Sequence, residues 1–228
     1  MTALVIGFVL FPRLTQLDLT GPFEVFAKTP GAQTLLLWKT LDPVEAETGL
    51  RLLPNATFRE CPRLDVLCMP GGPGVSALME DHEVLDFLRA QAAMAHFVTS
   101  VCTGSLVLGA AGLLRGRQAT SHWASRDLLE AFGAIPTEGR VVRDGNVITG
   151  GGVTAGIDFA LTIVAELAGI DTAQAIQLQI EYAPAPPFDA GTPERAPPHI
   201  LAAVRERAAP MRAGREALVA RIARTVAR

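Results

Sequence analysis

Short apolar runs alternate along this chain with longer stretches whose apolar positions recur at helical spacing. Leu4-Val-Ile-Gly-Phe-Val-Leu10 contains no polar side chain, as expected of a strand buried on both faces of a parallel sheet. Shorter runs of the same kind cover Thr34 to Trp38, Asp65 to Met69, Phe97 to Val101 and Val147 to Thr149. Helical segments are predicted around 76–94, 104–114, 124–132 and 155–168. Strands alternating with helices predict a doubly wound, mostly parallel sheet sandwiched by helices, an α/β fold of flavodoxin-like type.

After the first strand, Gly21-Pro22 precedes Phe23-Glu-Val-Phe26, and proline suits the first helical position, where its missing N–H costs nothing. A helix start there leaves Asp18 in the strand-to-helix loop. Residues 184–198 carry six prolines and should run extended over the surface. Beyond them Ile200, Val204, Met211, Leu218, Ile222 and Val226 fit one helical stripe that Pro210 and Gly214 interrupt, which predicts a docked helical pair. The expected organisation is an α/β domain over 1–192 with a C-terminal helical extension, 193–228, packed on it. Ala90 to Leu114 has no formally charged residue and is long enough to cross a bilayer. Its polar residues, from Gln91 to Ser105, and its three glycines divide it instead into a helix end, a strand and a small-residue helix. No membrane partner is expected.

With 228 residues, 49% hydrophobic and 19% charged, the chain can bury a large core, which excludes a disordered or fibrous protein. A net charge of −3 supplies no general attraction to nucleic acid or an anionic membrane. The charge is uneven, however: eight arginines against three glutamates give residues 193–228 a balance of +5, and residues 1–192 carry −8. On an amphipathic helix such arginines read as a solvated face, so they mark no site and no nucleic-acid partner is expected. Cys61, Cys68 and Cys102 make neither a zinc-ligand pattern nor a CxxC pair, and they suit a reducing, cytoplasmic compartment. The apolar N-terminus lacks a preceding Lys or Arg and a small-residue cleavage signal, so it reads as a strand rather than a secretory peptide.

Cys102 stands between the run Phe97–Val101 and a helix opening at Thr103-Gly104. At the carboxyl end of a parallel strand a side chain faces the open crevice, and the first turn of the next helix presents unpaired N–H groups. Ser100 and Gly104, two residues to either side, echo the small-residue spacing of a nucleophile elbow and lead one to expect strained backbone dihedrals at Cys102. The helix terminus should lower the thiol pKa from about 8.5 toward about 4–7. Cys61, before a proline, and Cys68, inside an apolar run, read as structural. Two further glycine-rich loops, Met69-Pro-Gly-Gly-Pro-Gly74 and Thr149-Gly-Gly-Gly-Val-Thr-Ala-Gly-Ile-Asp158, should border the same crevice. Gly72 lies in the first, where exposed amides suit a developing negative charge. No dinucleotide or phosphate-loop fingerprint is present.

Asp18, flanked by Leu17 and Leu19, is either a desolvated acid able to exchange a proton near neutrality or the cap of the following helix. His122, in Thr120-Ser-His-Trp123, is the histidine best placed to act as a base, although a lone histidine beside tryptophan is more often structural or pocket-lining. Thr103 occupies the position beside Cys102 where a Cys-His protease would carry its histidine, and a threonine is no strong base.

Taken together, Leu14–Pro22, Pro70–Gly74, Ser100–Leu106, Gly150–Asp158 and Gln179–Phe188 resemble the isocyanide hydratases of the DJ-1/PfpI superfamily, over nearly the whole chain. That resemblance implies cysteine-dependent hydration of an organic isocyanide to an N-substituted formamide through a covalent thioimidate. It also implies a homodimer with no metal and no organic cofactor. Cys102 is implied as nucleophile, Asp18 as proton carrier and Thr103 as the residue orienting it, with Gly151 and Val153 bordering the pocket. Val153 is smaller than the branched side chain usual there, which bears on pocket volume. Two alternatives stay open. One is a ligand-sensing domain of the kind found in regulators, although about thirty residues after the prolines are too few for a pair of helix-turn-helix units. The other is a protease, deglycase or redox-stress protein using the same cysteine.

Overall fold

The computed structural model of the protein describes residues 4–226, with side chains described through Arg224. In chain order the strands are β1 (Leu4–Val9), β2 (Ala32–Trp38), β3 (Val44–Glu45), β4 (Arg51–Leu52), β5 (Ala56–Thr57), β6 (Val66–Met69) and β7 (Phe97–Val101). They continue with β8 (Gln118–Ala119), β9 (Ile135–Pro136), β10 (Val141–Asp144) and β11 (Val147–Gly150). The main sheet is seven-stranded in the order β10-β11-β7-β6-β1-β2-β5, parallel throughout except for the β10–β11 edge pair. β6, β7 and β11 are buried at every position, which is why their sequences read as unbroken apolar or small-residue runs.

From β1 the chain moves outward to β2 and β5, then returns to the other side of β1 with β6 and continues to β7 and β11. The direction therefore reverses between β1 and β6. Loops leaving the carboxyl ends of these two neighbours part there and leave a crevice. Helices α1 (Gln16–Ala27), α5 (Ala155–Ala168) and α6 (Ile170–Gln179) pack together. A second group comprises α2 (Val75–Leu78), α3 (His82–Ala92), α4 (Gly104–Ala110), a 3-10 segment at Arg126–Phe132 and α7 (Pro198–Val226). Ala90–Leu114 is divided between α3, β7 and α4, and among the described residues no helix is long and apolar enough to cross a membrane.

Four local readings are corrected. α1 begins at Gln16, not after Gly21-Pro22, so Asp18 lies in the first helical turn and Pro22 inside the helix. Tertiary packing explains this: a Cβ on Gly156 of α5 would lie 2.7 Å from the Pro22 ring, and one on Gly21 would lie 3.3 Å from Ile157. Gly21 and Pro22 thus mark a close helix crossing rather than a helix start. The segment 76–94 is two helices, α3 restarting where the Asp81 carboxylate accepts the Val84 amide as N-cap. Residues 126–132 form a 3-10 helix rather than an α-helix.

The C-terminal pair is one helix of 29 residues running through Pro210 and Gly214. Its first half leaves Ile200, Val204 and Met211 exposed, while Val219 and Ile222 are buried. The stripe is therefore docked only over its second half, and the side chain of Val226 lies outside the described residues.

Candidate active site

Because β1, β6, β7 and β11 are parallel neighbours, the residues that follow them meet at one rim of the sheet. Cys102 follows β7 directly and has φ 54°, a left-handed conformation that costs a non-glycine residue on the order of 1 kcal/mol and persists only where the surroundings hold it. They do so here. The Cys102 amide donates to the Gly150 carbonyl at 2.9 Å, and its carbonyl accepts from Ser105 Oγ at 3.2 Å and Ser121 Oγ at 3.0 Å. Gly104 completes the turn, since a Cβ there would meet the Met69 carbonyl oxygen at 2.1 Å.

Asp18 is wholly buried. It does not cap its own helix: Thr15 is the N-cap, its hydroxyl donating to Glu47 rather than accepting a helix amide, and the Asp18 carboxylate turns instead toward the loop after β6. Oδ2 accepts the Gly71 amide at 2.9 Å, while the buried Oδ1 has no hydrogen-bond partner within the usual geometry. The Gly72 amide donates to Thr103 Oγ1 at 3.0 Å. It therefore holds the threonine and is not a free donor for a developing charge.

Burial pushes the Asp18 carboxyl up to about 7, against the Gly71 amide and the Cys102 thiol, which favour its charged form. Burial also pushes the Cys102 thiol up, reinforced by the Asp18 charge and opposed by the Thr103 amide and hydroxyl and by Arg215. The expected lowering of the thiol pKa is thus reversed. α4 has only seven residues and contributes its field through Thr103, whereas burial and a neighbouring carboxylate both disfavour a lone thiolate. The protonation of each group bears on the other: the Asp18 charge raises the thiol, and the Cys102 thiol favours the Asp18 carboxylate. Burial pushes Cys68 to about 12 and Cys61 to about 11, in keeping with packing roles.

The other sequence candidates lie around this centre. The Gly151 amide donates to the Arg140 carbonyl at 2.9 Å, and Gly151 lines a cleft of about 390 Å³ together with Thr120, Ser121, Trp123 and Arg205. Cys102 itself is 6% exposed and does not line the cleft; Ser121, which does, is bonded to the Cys102 carbonyl. Val153 is half-buried and packs against the core. The His122 ring lies tilted by 37° against Trp123, with centroids 5.4 Å apart, and its Nδ1 accepts the Ala124 amide at 3.3 Å. Burial and Arg215 hold its pKa below the ordinary histidine value. Among the described residues no group of three or more His, Cys, Asp or Glu side chains could hold a metal.

Sequence reasoning missed Arg215. It is 7% exposed, on the same face of α7 as Val219 and Ile222, and its field reaches both Cys102 and His122. The spacing 215, 219, 222 was the available signal, since it puts an arginine on the apolar stripe rather than opposite it.

Residues 5–166, which span the main sheet from the second residue of β1 through β11 and include the Asp18, Gly71 and Cys102 turns, match the DJ-1/PfpI family. The chain belongs to the DJ-1/PfpI family. Within it, this member is 64% identical over 208 residues to the isonitrile hydratase of Pseudomonas putida, an alignment covering 91% of each chain. A THiJ/PfpI family protein from Pseudomonas syringae superposes with a TM-score of 0.93 at 49% identity, over 96% of this chain and 91% of that one. The HTH-type transcriptional regulator GbdR of Pseudomonas aeruginosa is 31% identical over 78% of this DJ-1/PfpI chain, but that match covers only 50% of the regulator.

Proposed function

We propose that the protein is a lyase that hydrates organic isocyanides to N-substituted formamides, with Cys102 as nucleophile, Asp18 as proton carrier and Thr103 holding the loop that orients the acid. The observation that carries this reading is a fully buried carboxyl group coupled to a strained cysteine, in a chain 64% identical to an isonitrile hydratase.

In the resting pair the thiol keeps its proton and Asp18 is a carboxylate. As substrate enters, the thiol proton passes to Asp18 and the thiolate adds to the terminal isocyanide carbon. Asp18 then protonates that carbon, giving a thioimidate. The carboxylate so regenerated takes a proton from water while hydroxide adds to the same carbon, and Asp18 returns that proton to the nitrogen. Finally Asp18 accepts the hydroxyl proton of the tetrahedral adduct as the C–S bond breaks. Formamide leaves, and the proton returns to sulfur. One water is consumed and the pair is restored.

The wild-type protein is to be mixed with an aliphatic isocyanide, with formamide measured by chromatography and the Cys102 peptide by mass spectrometry. Formamide production with a transient adduct on that peptide, both lost in Cys102→Ser, supports the reading; an inert isocyanide and an unmodified peptide overturn it. The same reading includes a homodimer, which light scattering tests: a mass near 24.1 kDa would identify a monomer instead.

A further inference from the structure

We propose that Arg215, delivered by α7 from beyond the family-matched segment, is a positioning residue for this reaction: its guanidinium is the counter-charge that holds negative charge on the Cys102–Asp18 pair inside the protein. In naming a reaction this rests on the hydratase reading; as a statement about the thiol it does not.

A guanidinium is charged at any working pH, and burying one without a carboxylate is costly. Arg215 is so buried. Its Nη1 donates to Ser125 Oγ at 3.1 Å and its Nη2 to Met211 Sδ at 3.7 Å, while Nε has no partner. Among the described residues no carboxylate comes within 4.0 Å of it. Its neighbours on α7 are satisfied: Arg212 clamps Asp127 and reaches Glu216, and Arg221 bonds Glu80. An apolar side chain at 215 would continue the stripe of Val219 and Ile222 at no such cost.

The placement leads to the reactive turn. Ser125, which anchors the guanidinium, donates its amide to the His122 carbonyl at 2.8 Å, and Ser121, one residue earlier, donates its hydroxyl to the Cys102 carbonyl at 3.0 Å. Residues 121–125 thus tie α7 to the Cys102 turn. Among the described residues, the charges acting on Cys102 are those of Asp18 from α1 and Arg215 from α7, with Glu47 acting on Asp18. Burial and Arg215 lower the pKa of His122 on the tie, and Arg212 beside Arg215 is committed to Asp127. The buried anion of the pair and the buried unpaired cation therefore answer each other.

Iodoacetamide alkylation of Cys102, followed on its peptide by mass spectrometry from pH 5 to 10, tests this without any isocyanide. Arg215→Met should alkylate about tenfold more slowly at pH 7, with its profile displaced upward by about one pH unit, while Arg215→Lys stays within about threefold of wild type. Arg215→Gln takes the place of the methionine variant if the latter does not fold. A neutral variant whose profile superposes on wild type overturns the proposal. So does a lysine variant displaced as far as the neutral one, because packing rather than charge would then be at issue. Failure of the hydratase reading would appear separately, as a wild-type protein with this thiol behaviour and no isocyanide turnover.

Discussion

The Asp18 carboxylate is fitted against the Gly71 backbone so closely that a Cβ on Gly71 would lie 2.7 Å from Oδ2, the oxygen that accepts the Gly71 amide at 2.9 Å. The same Cβ would lie 2.6 Å from the Thr103 amide nitrogen and 2.8 Å from Thr103 Oγ1. One missing side chain lets the acid, the threonine and the cysteine turn converge.

Gly71→Ala is therefore expected to lower kcat/KM for isocyanide hydration by about 100-fold, on the rule that sub-ångström displacements of reacting groups cost rates of this order. Steady-state kinetics alongside a thermal melt check this. Unchanged turnover in a folded variant would show that the convergence is dispensable.

In the proposed mechanism Asp18 has to be a carboxylate to receive the thiol proton, and its carboxyl is pushed up to about 7. The kcat/KM profile should accordingly rise with pH through an apparent pKa near 7. Stability runs the other way: a carboxyl raised in the folded state binds more protons there than in the unfolded chain between about pH 4 and 7, so stability falls as pH rises through that window and levels off above it. Asp18→Asn should flatten this fall in urea titrations at pH 5 and 8 while abolishing turnover. An equal fall in wild type and variant would assign the pH dependence to another group.

At Cys102 the φ of 54° is easy for glycine and costly for any side chain with a Cβ. Cys102→Gly should be about 1 kcal/mol more stable than Cys102→Ala by chemical denaturation, with both inactive. A more stable alanine variant would mean that the turn relaxes when the sulfur is removed.

The half-docked α7 makes a paired prediction. Val219→Asp puts a carboxylate at a position 1% exposed and should cost about 3 kcal/mol or more, releasing the helix to limited proteolysis. Val204→Asp, at a position 41% exposed, should change stability by no more than about 0.5 kcal/mol. Equal effects would contradict the docking of only the second half.

Much of the fold was legible because apolar strand runs leave a clear trace: Leu4–Leu10, Thr34–Trp38, Asp65–Met69, Phe97–Val101 and Val147–Thr149 each overlap a strand of the main sheet. The strained backbone at Cys102 was legible too, from its place between apolar strand and small-residue helix. What the sequence concealed were long-range effects. Gly21-Pro22 signalled a helix start by local rules, yet the pair sits where α1 crosses α5 at Gly156. The thiol pKa was expected low from its helix terminus, but burial and a carboxylate 84 positions earlier in the chain dominate. Arg215 looked solvated because the polar surroundings of α7 masked which face the domain covers.

The parallel strands have a practical corollary for anyone handling the protein. Asp18, Gly71, Cys102 and Thr103 all follow the strands' exits, whereas the Gly145 hairpin between β10 and β11 enters the sheet from the far rim, exposed and with φ 61°. A peptide tag or fluorophore grafted at Gly145 would sit a full strand's length from the chemistry, leaving that hairpin as the natural handle.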